Sequence, residues 1–326
     1  MPSEPCKNPA REIIPAQVES IGFPLVEPAR DEPAWADPAY LVAPAGAGSL
    51  ENTLAPTVEI VVPVYNQLAY TRQCLESLRQ NTDARARIII IDNGSTDGTA
   101  EFLGTRLQIT VLSNPQNLGC AAAWNQGVRA GAADWVAILN NDILLTPGWL
   151  DGLLAAAAEY GLDIVSPAVR EGPLNYEIGA YGLEFVRTMG RAIRRGVAHG
   201  ICFLTRRSVF ETIGLFDENF RIGQFEDADF FQRACRAGFR LGTTGRSFIH
   251  HFGSVTQDSI RRPDTSPQYE SLNRAYYRQK WRLAWHRRYL QRVQTKARLI
   301  WWSVREHRHY RHSLNERWRH GKLFYD

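Results

Sequence analysis

Asp134-Trp-Val-Ala-Ile-Leu-Asn-Asn-Asp142 is an apolar run that ends in three small polar residues. A short apolar run suits a buried central strand of a mostly parallel sheet, and Thr146-Pro-Gly148 then opens a helix. Ligands of open α/β sheets bind beyond the carboxyl ends of the strands. A carboxylate there can hold a divalent cation, because hard cations prefer oxygen ligands. Asn and Asp are also ordinary residues of a strand-to-helix turn, so the neighbouring stretches decide between the two interpretations.

Strands and helices alternate on the amino-terminal side of this run. Three further apolar strands are predicted at Val58–Val62, Ile88–Ile91 and Ile109–Leu112, with a helix after each. The first two strands are about 30 residues apart, which is the length of one βαβ unit. The alternation predicts an α/β fold with a mostly parallel sheet, flanking helices and polar loops at one sheet edge.

The second half of the chain is less regular. Residues 170–198 are predicted to be irregular, residues 199–204 to form a strand and residues 247–250 to form a last short strand. A helix is predicted from Phe225 to Ala237, since Gly238 stands where a helix commonly ends. Residues 267–311 are predicted to be helical, with aromatic side chains at steps of four.

Composition and charge limit the class of protein. At 326 residues, with 44% apolar and 22% charged residues, the chain is typical of globular proteins, and no apolar run reaches the roughly 18 residues of a membrane span. No secretory signal is evident at the first residues. Five dispersed cysteines favour neither a disulfide framework nor a zinc cluster. A cytoplasmic location is therefore expected.

Three segments are predicted: a Pro-rich extension (1–56), a central domain (57–260) and a basic, aromatic-rich helical tail (261–326). Residues 269–326 contain 15 Lys and Arg but 4 Asp and Glu, so they carry +11. Because the whole chain carries +4, the remainder carries −7. A basic helix with aromatic residues can contact nucleic acid, anionic lipid or a protein partner, or it can pack on the body with a solvated face. No nucleic-acid-binding module is recognisable there, so no specific nucleic acid is expected, and membrane-surface contact is the first of these hypotheses.

The loop Asp92-Asn-Gly-Ser-Thr-Asp97 follows the second strand. It lacks the spacing of an EF-hand and the Gly-Lys-Ser/Thr ending of a P-loop. Its hydroxyl and carboxylate side chains can simply cap the next helix. Alternatively, Asp92 accepts hydrogen bonds from a bound nucleoside, as the acid at a strand end does in dinucleotide folds.

Two further groups of side chains are candidates for chemistry. Glu226 and Asp227 stand in a first helical turn, where acids complement the helix dipole, or one of them serves as a general base among apolar neighbours that raise its pKa. His250 and His251 are two of three histidines outside the tail. Either one is a structural residue or completes a metal shell with Asp142.

Six motifs occur together in a fixed order: Val61-Val-Pro-Val-Tyr-Asn66, Asp92-Asn-Gly-Ser-Thr-Asp97, Asn114-Pro-Gln-Asn-Leu-Gly119, Asn140-Asn-Asp142, Gly214-Leu-Phe-Asp217 and Phe225-Glu-Asp-Ala-Asp229. Their order and spacing resemble those of family-2 glycosyltransferases with the GT-A fold. The resemblance is greatest to the rhamnosyltransferase- and galactofuranosyltransferase-like branch, and it covers residues 57–260. The His-Phe-Gly-Ser254 stretch fits the end of such a domain.

This resemblance implies an inverting transfer from a nucleotide-diphosphate sugar to a hydroxyl of a glycan or lipid-linked acceptor. It also implies work in cell-envelope polysaccharide synthesis, either in the cytoplasm or peripherally on the inner face of the membrane. Asp227 is the expected base, with Glu226 the alternative, and His199 and Gly200 line the acceptor side. Asp142 and His251 (less favourably His250) would bind Mg²⁺ or Mn²⁺, which neutralises the leaving diphosphate. The residues expected to bind the nucleotide sugar are Pro63, Tyr65, Asn66, Asp92, Asn93, Asp97, Asn117, Gly119, Asn140 and Asn141.

One residue departs from the family pattern. Asn140 replaces the first acid of the usual D-x-D motif, so one negative charge is lost although an amide oxygen can still bind a hard cation. Two alternatives therefore stay open. One is a catalytically silent nucleotide-sugar-binding protein, and the other is a sugar nucleotidyltransferase, although a Gly-rich basic loop is missing after the first strand.

Overall fold

A computed structural model describes residues 57–83, 86–106, 108–253, 266–282 and 285–325. The predicted extension (1–56) lies outside the described residues, as do Ser254 and the rest of the segment between 253 and 266. The helices are α1 (Leu68–Asn81), α2 (Thr99–Gly104), α3 (Cys120–Arg129), α4 (Trp149–Tyr160), α5 (Ile178–Met189), α6 (Arg207–Ile213), α7 (Glu226–Arg236), α8 (Ser266–Lys280) and α9 (Trp285–Tyr310).

The strands are β1 (Val58–Val64), β2 (Ala86–Asp92), β3 (Ile109–Ser113), β4 (Trp135–Leu139), β5 (Ile143–Leu145), β6 (Ile164–Glu171), β7 (Ile193–Arg195), β8 (Cys202–Arg206), β9 (Leu241–His251), β10 (Asn315–Arg319) and β11 (Lys322–Tyr325). They form one sheet in the order β11-β10-β6-β8-β4-β1-β2-β3, and β9 pairs with β5, β6 and β7. The first four core strands run parallel, and β8 lies antiparallel beside β4. The predicted mostly parallel sheet with flanking helices is confirmed.

Both faces of the sheet are covered, which explains its continuous apolar strands. From β1, Ile60 and Val62 pack with α1 and α4, whereas Val61 packs on the opposite face with α3 and α7. The parallel strands therefore bring the ends of β1, β2 and β4 to one edge, where the loops carrying the predicted site begin.

The structure differs from the sequence prediction between residues 170 and 198. This stretch contains α5 and β7 rather than irregular chain. Glu177 caps α5 by accepting hydrogen bonds from the backbone of Gly179 and Ala180. Glycine lowers helix propensity, but Gly182 lets α5 approach β5's end, since a Cβ there would lie 2.6 Å from Thr146 Cγ2. This close approach requires a glycine at position 182, and glycine is why the sequence did not predict a helix here.

The last residues of the tail are part of the sheet. The helices α8 and α9 agree with the predicted helical stretch, but β10 and β11 form a hairpin that was not predicted, and β10 pairs in parallel with the end of β6. Arg194 on β7 makes a bidentate pair with Glu306 of α9 at 2.9 Å for both contacts, and both side chains are buried.

The strands predicted at residues 199–204 and 247–250 have different bounds in the structure. The first is β8 (Cys202–Arg206), and the second is part of β9, which extends over eleven residues.

Candidate active site

The loops after β1 and β2 are joined by hydrogen bonds between predicted site residues. Asn66 donates its backbone N–H to Ser95 Oγ (2.8 Å), and its side-chain oxygen accepts from the backbone of Thr96 (2.7 Å). Asp97 accepts from the backbone of Leu68 at the start of α1 (3.0 Å). Asn66 adopts a positive φ of 53°, a conformation that Asn tolerates better than most residues. These contacts give the two loops one fixed shape at the sheet edge, beside the half-buried Pro63 and Tyr65.

Asp92 and Asn93 end β2 and are almost completely buried. Asp92 Oδ1 accepts the backbone N–H of Ser95 (3.0 Å). Asn93 donates to Asn117 Oδ1 (2.8 Å), and Asn117 in turn accepts the N–H of Gly119 (2.9 Å). Asn93 therefore fixes the loop that leads into α3, a structural task that its predicted contact with nucleotide did not include.

The start of α3 touches a second loop, which we call the acid loop (residues 221–225). Ile222 accepts the backbone N–H of Cys120 (2.7 Å), and a Cβ on Gly119 would lie 3.0 Å from the Ile222 nitrogen. Three residues of the acid loop are left-handed without being glycine: Ile222 (φ 61°), Gln224 (φ 78°) and Phe225 (φ 76°). Each such residue costs about 1–3 kcal/mol and persists only where the surroundings enforce it.

The acid loop leads directly into Glu226 and Asp227, the first residues of α7. Glu226 is buried, and Asp227 is half-buried. Burial and the neighbouring Asp227 carboxylate raise the pKa of Glu226 to about 8, and burial also raises the pKa of Asp227. Gly200 lies against Asp227, since a Cβ there would be 2.2 Å from Asp227 Oδ2. The raised pKa of Glu226 favours its protonated form near neutral pH, and Asp227, which is only half-buried, is the better placed of the two to meet a substrate.

Cys120 reports how the acids are arranged. Burial raises the pKa of its thiol, and the negative charges of Glu226, Asp227 and Asp142 raise it further. Because such charge interactions decrease with distance, the three carboxylates all lie near the Cys120 thiol at the start of α3. The loop after β4 and the start of α7 are therefore close to each other.

Asp142 lies opposite His251, where β5 pairs with β9. His251 Nε2 is 3.4 Å from Asp142 Oδ1, and its Nδ1 is 3.5 Å from Glu171 Oε2. Burial alone lowers the pKa of His251, but the two carboxylates outweigh it and raise this pKa to about 10. Glu171 is also 3.4 Å from Arg317 of β10. The imidazole of His251 thus lies between the carboxylates of Asp142 and Glu171.

The donor set fits a divalent cation of mixed N and O preference such as Mn²⁺. Once the cation displaces the proton from His251 Nε2, Asp142 Oδ1 and His251 Nε2 can approach it from two sides, with Glu171 orienting the ring through Nδ1, as carboxylates commonly do for metal-binding histidines. No group of three or more His, Cys, Asp or Glu side chains forms a metal site among the residues described. Oxygens of a bound diphosphate or water therefore have to complete the shell.

The other two predicted histidines have different surroundings. His250 points to the other side of β9, and its Nδ1 is 2.9 Å from the Tyr176 hydroxyl. His199 Nε2 is 2.8 Å from the carbonyl oxygen of Pro167. Burial lowers the pKa of each to about 4. Both are therefore neutral near pH 7, and the geometry favours His251 over His250 as a cation ligand.

The amides beside Asp142 point to different tasks. Asn141 donates to Thr71 Oγ1 (3.0 Å) and so connects the loop with α1. Asn140 is fixed through its backbone, which donates to the carbonyl of Ile201 (2.9 Å), while its side chain makes no hydrogen bond to the residues described. Asn140 is therefore the amide available to a ligand, and Asn141 is occupied in holding the loop.

Two site residues were missed by the sequence analysis. Glu171 stands at the carboxyl end of β6, a position that the strand-end rule could have identified. Asn273 of α8 is buried and bonds to the acid loop, but a single Asn within a polar helix carries no signal in the sequence.

Comparison with known proteins gives a family match for part of the chain. The family described as glycosyl transferase family 2 matches residues 59–214. The pre-mycofactocin glycosyltransferase of Mycobacterium tuberculosis is 30% identical over 60% of this chain and 42% of its own length. The N-acetylglucosaminyl-diphospho-decaprenol L-rhamnosyltransferase of the same organism is 28% identical over 61% of this chain and 77% of its own length. The chain thus spans less than half of the first relative.

Solved structures with partial similarity include GalNAc-T7 with UDP, GalNAc and Mn²⁺ (16% identity, TM-score 0.49, 60% of this chain and 44% of that chain). The mannosyltransferase PcManGT from Pyrobaculum calidifontis in complex with GDP-Man and Mn²⁺ is 20% identical, with a TM-score of 0.49, over 67% of this chain and 62% of that chain. The family match agrees with the motifs at the edge of the sheet and with the observed α/β architecture. Residues 59–214 of this chain therefore match glycosyl transferase family 2, and they contribute most strands of the observed α/β sheet.

Proposed function

We propose that this chain is an inverting glycosyltransferase that moves a sugar from a nucleotide diphosphate to a hydroxyl group of an acceptor. The observation that carries the proposal is that Asp142, Glu226 and Asp227 all lie near Cys120, whose backbone N–H also donates to Ile222 of the acid loop (2.7 Å). A cation-binding acid for the diphosphate and a separate carboxylate for the attacking hydroxyl thereby lie in one part of the molecule. A nucleotidyltransferase has no need of the second carboxylate at this point, so the arrangement favours sugar transfer.

In the proposed reaction, Asp227 takes the proton of the acceptor hydroxyl as its oxygen attacks the anomeric carbon. The bond from that carbon to the diphosphate oxygen breaks, and the nucleoside diphosphate leaves with the electron pair. Attack from the face opposite the leaving group inverts the anomeric centre. Asp142 and His251 would hold Mn²⁺ or Mg²⁺, which supplies positive charge for the departing diphosphate. Gly200 leaves space for the carboxylate of Asp227. Asp92 would accept hydrogen bonds from the nucleoside.

The acceptor is proposed to be a glycan or a lipid-linked sugar. One relative is named for transfer to a diphospho-decaprenol acceptor, which supports the lipid-linked class for this chain. Work in cell-envelope polysaccharide synthesis is part of the same proposal.

The outer face of α9 supports contact with an anionic membrane surface. Four apolar side chains lie on this face with at least half of their surface exposed: Val293, Ile300, Trp301 and Val304. Lys296, Arg305, Arg308 and Arg311 are exposed around them, and Arg305 lies over the Trp301 ring at 5.2 Å. Exposed apolar residues within a cationic rim are typical of helices that lie at a lipid interface. No helix in the described part of the chain is long and apolar enough to cross a bilayer.

The transfer proposal is tested with the purified chain, a panel of nucleotide-diphosphate sugars and added Mn²⁺ or Mg²⁺. Release of nucleoside diphosphate with one donor, dependence on the cation and an inverted anomeric configuration by NMR are the expected results. Donor binding without release of nucleoside diphosphate would instead identify a silent binding protein, the alternative that Asn140 favours. A retained configuration would reject the inverting mechanism.

Membrane contact is tested separately by sedimentation with vesicles of phosphatidylglycerol or of phosphatidylcholine. We expect binding to the anionic vesicles and its loss in Trp301→Ser combined with Ile300→Ser. Leu183→Ser is the matched control, because Leu183 is equally exposed (59%) but lies on α5. Equal binding of both variants to the vesicles would reject this surface.

A further inference from the structure

We propose that Asn273 is a positioning residue, which holds the acid loop and thereby the two acids that follow it. Asn273 lies on α8, outside the residues matched to the family, and only 1% of it is exposed. Its role rests on the proposed function for the reaction that it serves, but its contacts are independent of that reaction.

The Asn273 amide is saturated by the backbone of the acid loop. Its Oδ1 accepts the N–H of Arg221 (3.0 Å), and its Nδ2 donates to the carbonyl oxygens of Arg221 (2.9 Å), Gly223 (2.8 Å) and Gln224 (3.2 Å). One acceptor and one donor group in these positions define the orientation of the amide. An aspartate of the same size would turn an oxygen toward three carbonyls, so only an amide satisfies the loop.

The loop that Asn273 holds is one that the chain does not favour by itself. Ile222, Gln224 and Phe225 all have positive φ, and Ile222 is β-branched, which makes this conformation especially unfavourable. Such conformations cluster where structure is fixed for function. The hydrogen bonds from α8 offset the strain and select one backbone path into α7.

The acid loop connects two parts of the proposed site, the start of α3 and the start of α7. At one end, Ile222 accepts the N–H of Cys120 and contacts Gly119, a residue predicted to face the nucleotide sugar. At the other end, the chain turns into Glu226 and Asp227. A shift of the acid loop would therefore move the base relative to the donor pocket, and misplacement of a catalytic group by about 1 Å can reduce a rate 100-fold.

The rest of α8 is anchored elsewhere, which allows a matched control. Tyr277 donates to Gln232 of α7 (2.5 Å), and Lys280 pairs with Asp217 (2.6 Å) and Asp229 (2.7 Å). Tyr277→Phe therefore removes one buried hydrogen bond between α8 and α7 but keeps the ring, which packs on Phe225 of the acid loop at 5.4 Å. It separates loss of docking in general from loss of the loop contacts.

The experiment compares Asn273→Ala, Asn273→Asp and Tyr277→Phe with the unaltered chain. Amide hydrogen exchange is measured for the peptide containing residues 221–227, and kcat and donor KM are measured with the donor that the unaltered chain uses. We expect both Asn273 variants to exchange about tenfold faster in this peptide, because several buried hydrogen bonds are lost. We expect kcat to fall about 10- to 100-fold with donor KM within about threefold. Tyr277→Phe should change the exchange rate, kcat and donor KM by no more than about twofold each.

Exchange in residues 221–227 that stays at the unaltered rate in both Asn273 variants would overturn the inference. A kcat equal to that of Tyr277→Phe after correction for the folded fraction would also overturn it. Hydrogen exchange also keeps the test independent of the proposed function. If the unaltered chain transfers no sugar, transfer is rejected, while the exchange rates still decide whether Asn273 holds the loop.

Discussion

His251 Nε2 lies 3.4 Å from Asp142 Oδ1, across the antiparallel pairing of β5 with β9. The two side chains are distant in sequence. They meet because Asp142 directly precedes β5, whose first residue pairs with His251 at the end of β9. Their spacing allows one cation to be bound between them. The missing first acid of the D-x-D motif makes this pair the main protein contribution to such a site.

Asn140→Asp is expected to tighten Mn²⁺ binding. Asn140 is half-buried, its backbone is fixed by Ile201, and it stands two residues before Asp142. A second carboxylate adds a charged oxygen ligand, which hard cations prefer, and we expect about a tenfold lower Kd by isothermal titration in the presence of nucleoside diphosphate. Asp142→Asn should weaken binding instead. Unchanged Mn²⁺ affinity in both variants would place the cation elsewhere.

Glu171→Gln is expected to weaken cation binding although Glu171 does not face the cation. Its carboxylate lies 3.5 Å from His251 Nδ1, and loss of such a partner commonly costs about 10- to 100-fold in metal affinity. Glu184→Gln on the exposed surface of α5 is the control, since Glu184 forms its hydrogen bonds with Arg187 and Thr188 on the same helix. The same titration measures both, and equal affinities would assign Glu171 a purely structural role.

Asp227→Asn is expected to reduce kcat about 100- to 10,000-fold, the usual range for loss of a general base. Donor binding should stay within about threefold, because the amide keeps the shape of the carboxylate. Transfer rates and donor titration by fluorescence measure the two effects. Near-normal kcat in Asp227→Asn together with loss in Glu226→Gln would transfer the base role to Glu226.

Glu226→Gln is expected to stabilise the protein relative to the unaltered chain, and this effect should be larger at alkaline than at acidic pH. The pKa of Glu226 is raised to about 8 from an ordinary 4.5, so the folded state retains a proton that the unfolded chain releases. The folded state therefore loses stability as the pH rises from about 4.5 to 8, and the full cost is present above pH 8. The neutral amide avoids this cost, so the Tm difference between variant and parent should increase from pH 5 to pH 9. Scanning calorimetry at both pH values measures it, and a constant difference would contradict the raised pKa.

Glu306→Ala is expected to destabilise the whole chain and not only α9. Glu306 pairs with buried Arg194 and accepts from the backbone of Leu314 just before β10. Removal of one partner of a buried pair costs about 3–5 kcal/mol, which lowers Tm by several degrees. Replacing both partners, as Arg194→Met with Glu306→Leu, should cost less because no charge is left unpaired. A separate melting transition for residues 285–325 would show instead that the tail is an independent unit.

The sequence determined the order of the strands and helices from Val58 to Leu139 and the motifs at the strand ends. These features are local: an apolar run buried on both faces of a sheet is read directly from its side chains, and strand ends carry their polar residues in sequence. The helix α5 was not predicted because it contains glycines, one of which, Gly182, allows close contact with Thr146; no local pattern reveals this contact. The β10–β11 hairpin escaped prediction because its strands form at the sheet edge, where side-chain alternation is weak.

The residues at the candidate site divide in the same way. Asp92, Asp142 and Asp227 could be proposed from the sequence because each stands at, or directly beside, the end of a strand or helix. The proximity of Asp142 and Asp227 to Cys120, the pairing of Asp142 with His251 and the hydrogen bonds of Asn273 to the acid loop were decided only by the tertiary structure. The contacts of His251 with Asp142 and of Asn273 with the acid loop join residues that are at least 49 positions apart, and such separations are closed by sheet pairing and helix docking rather than by any preference of the local chain.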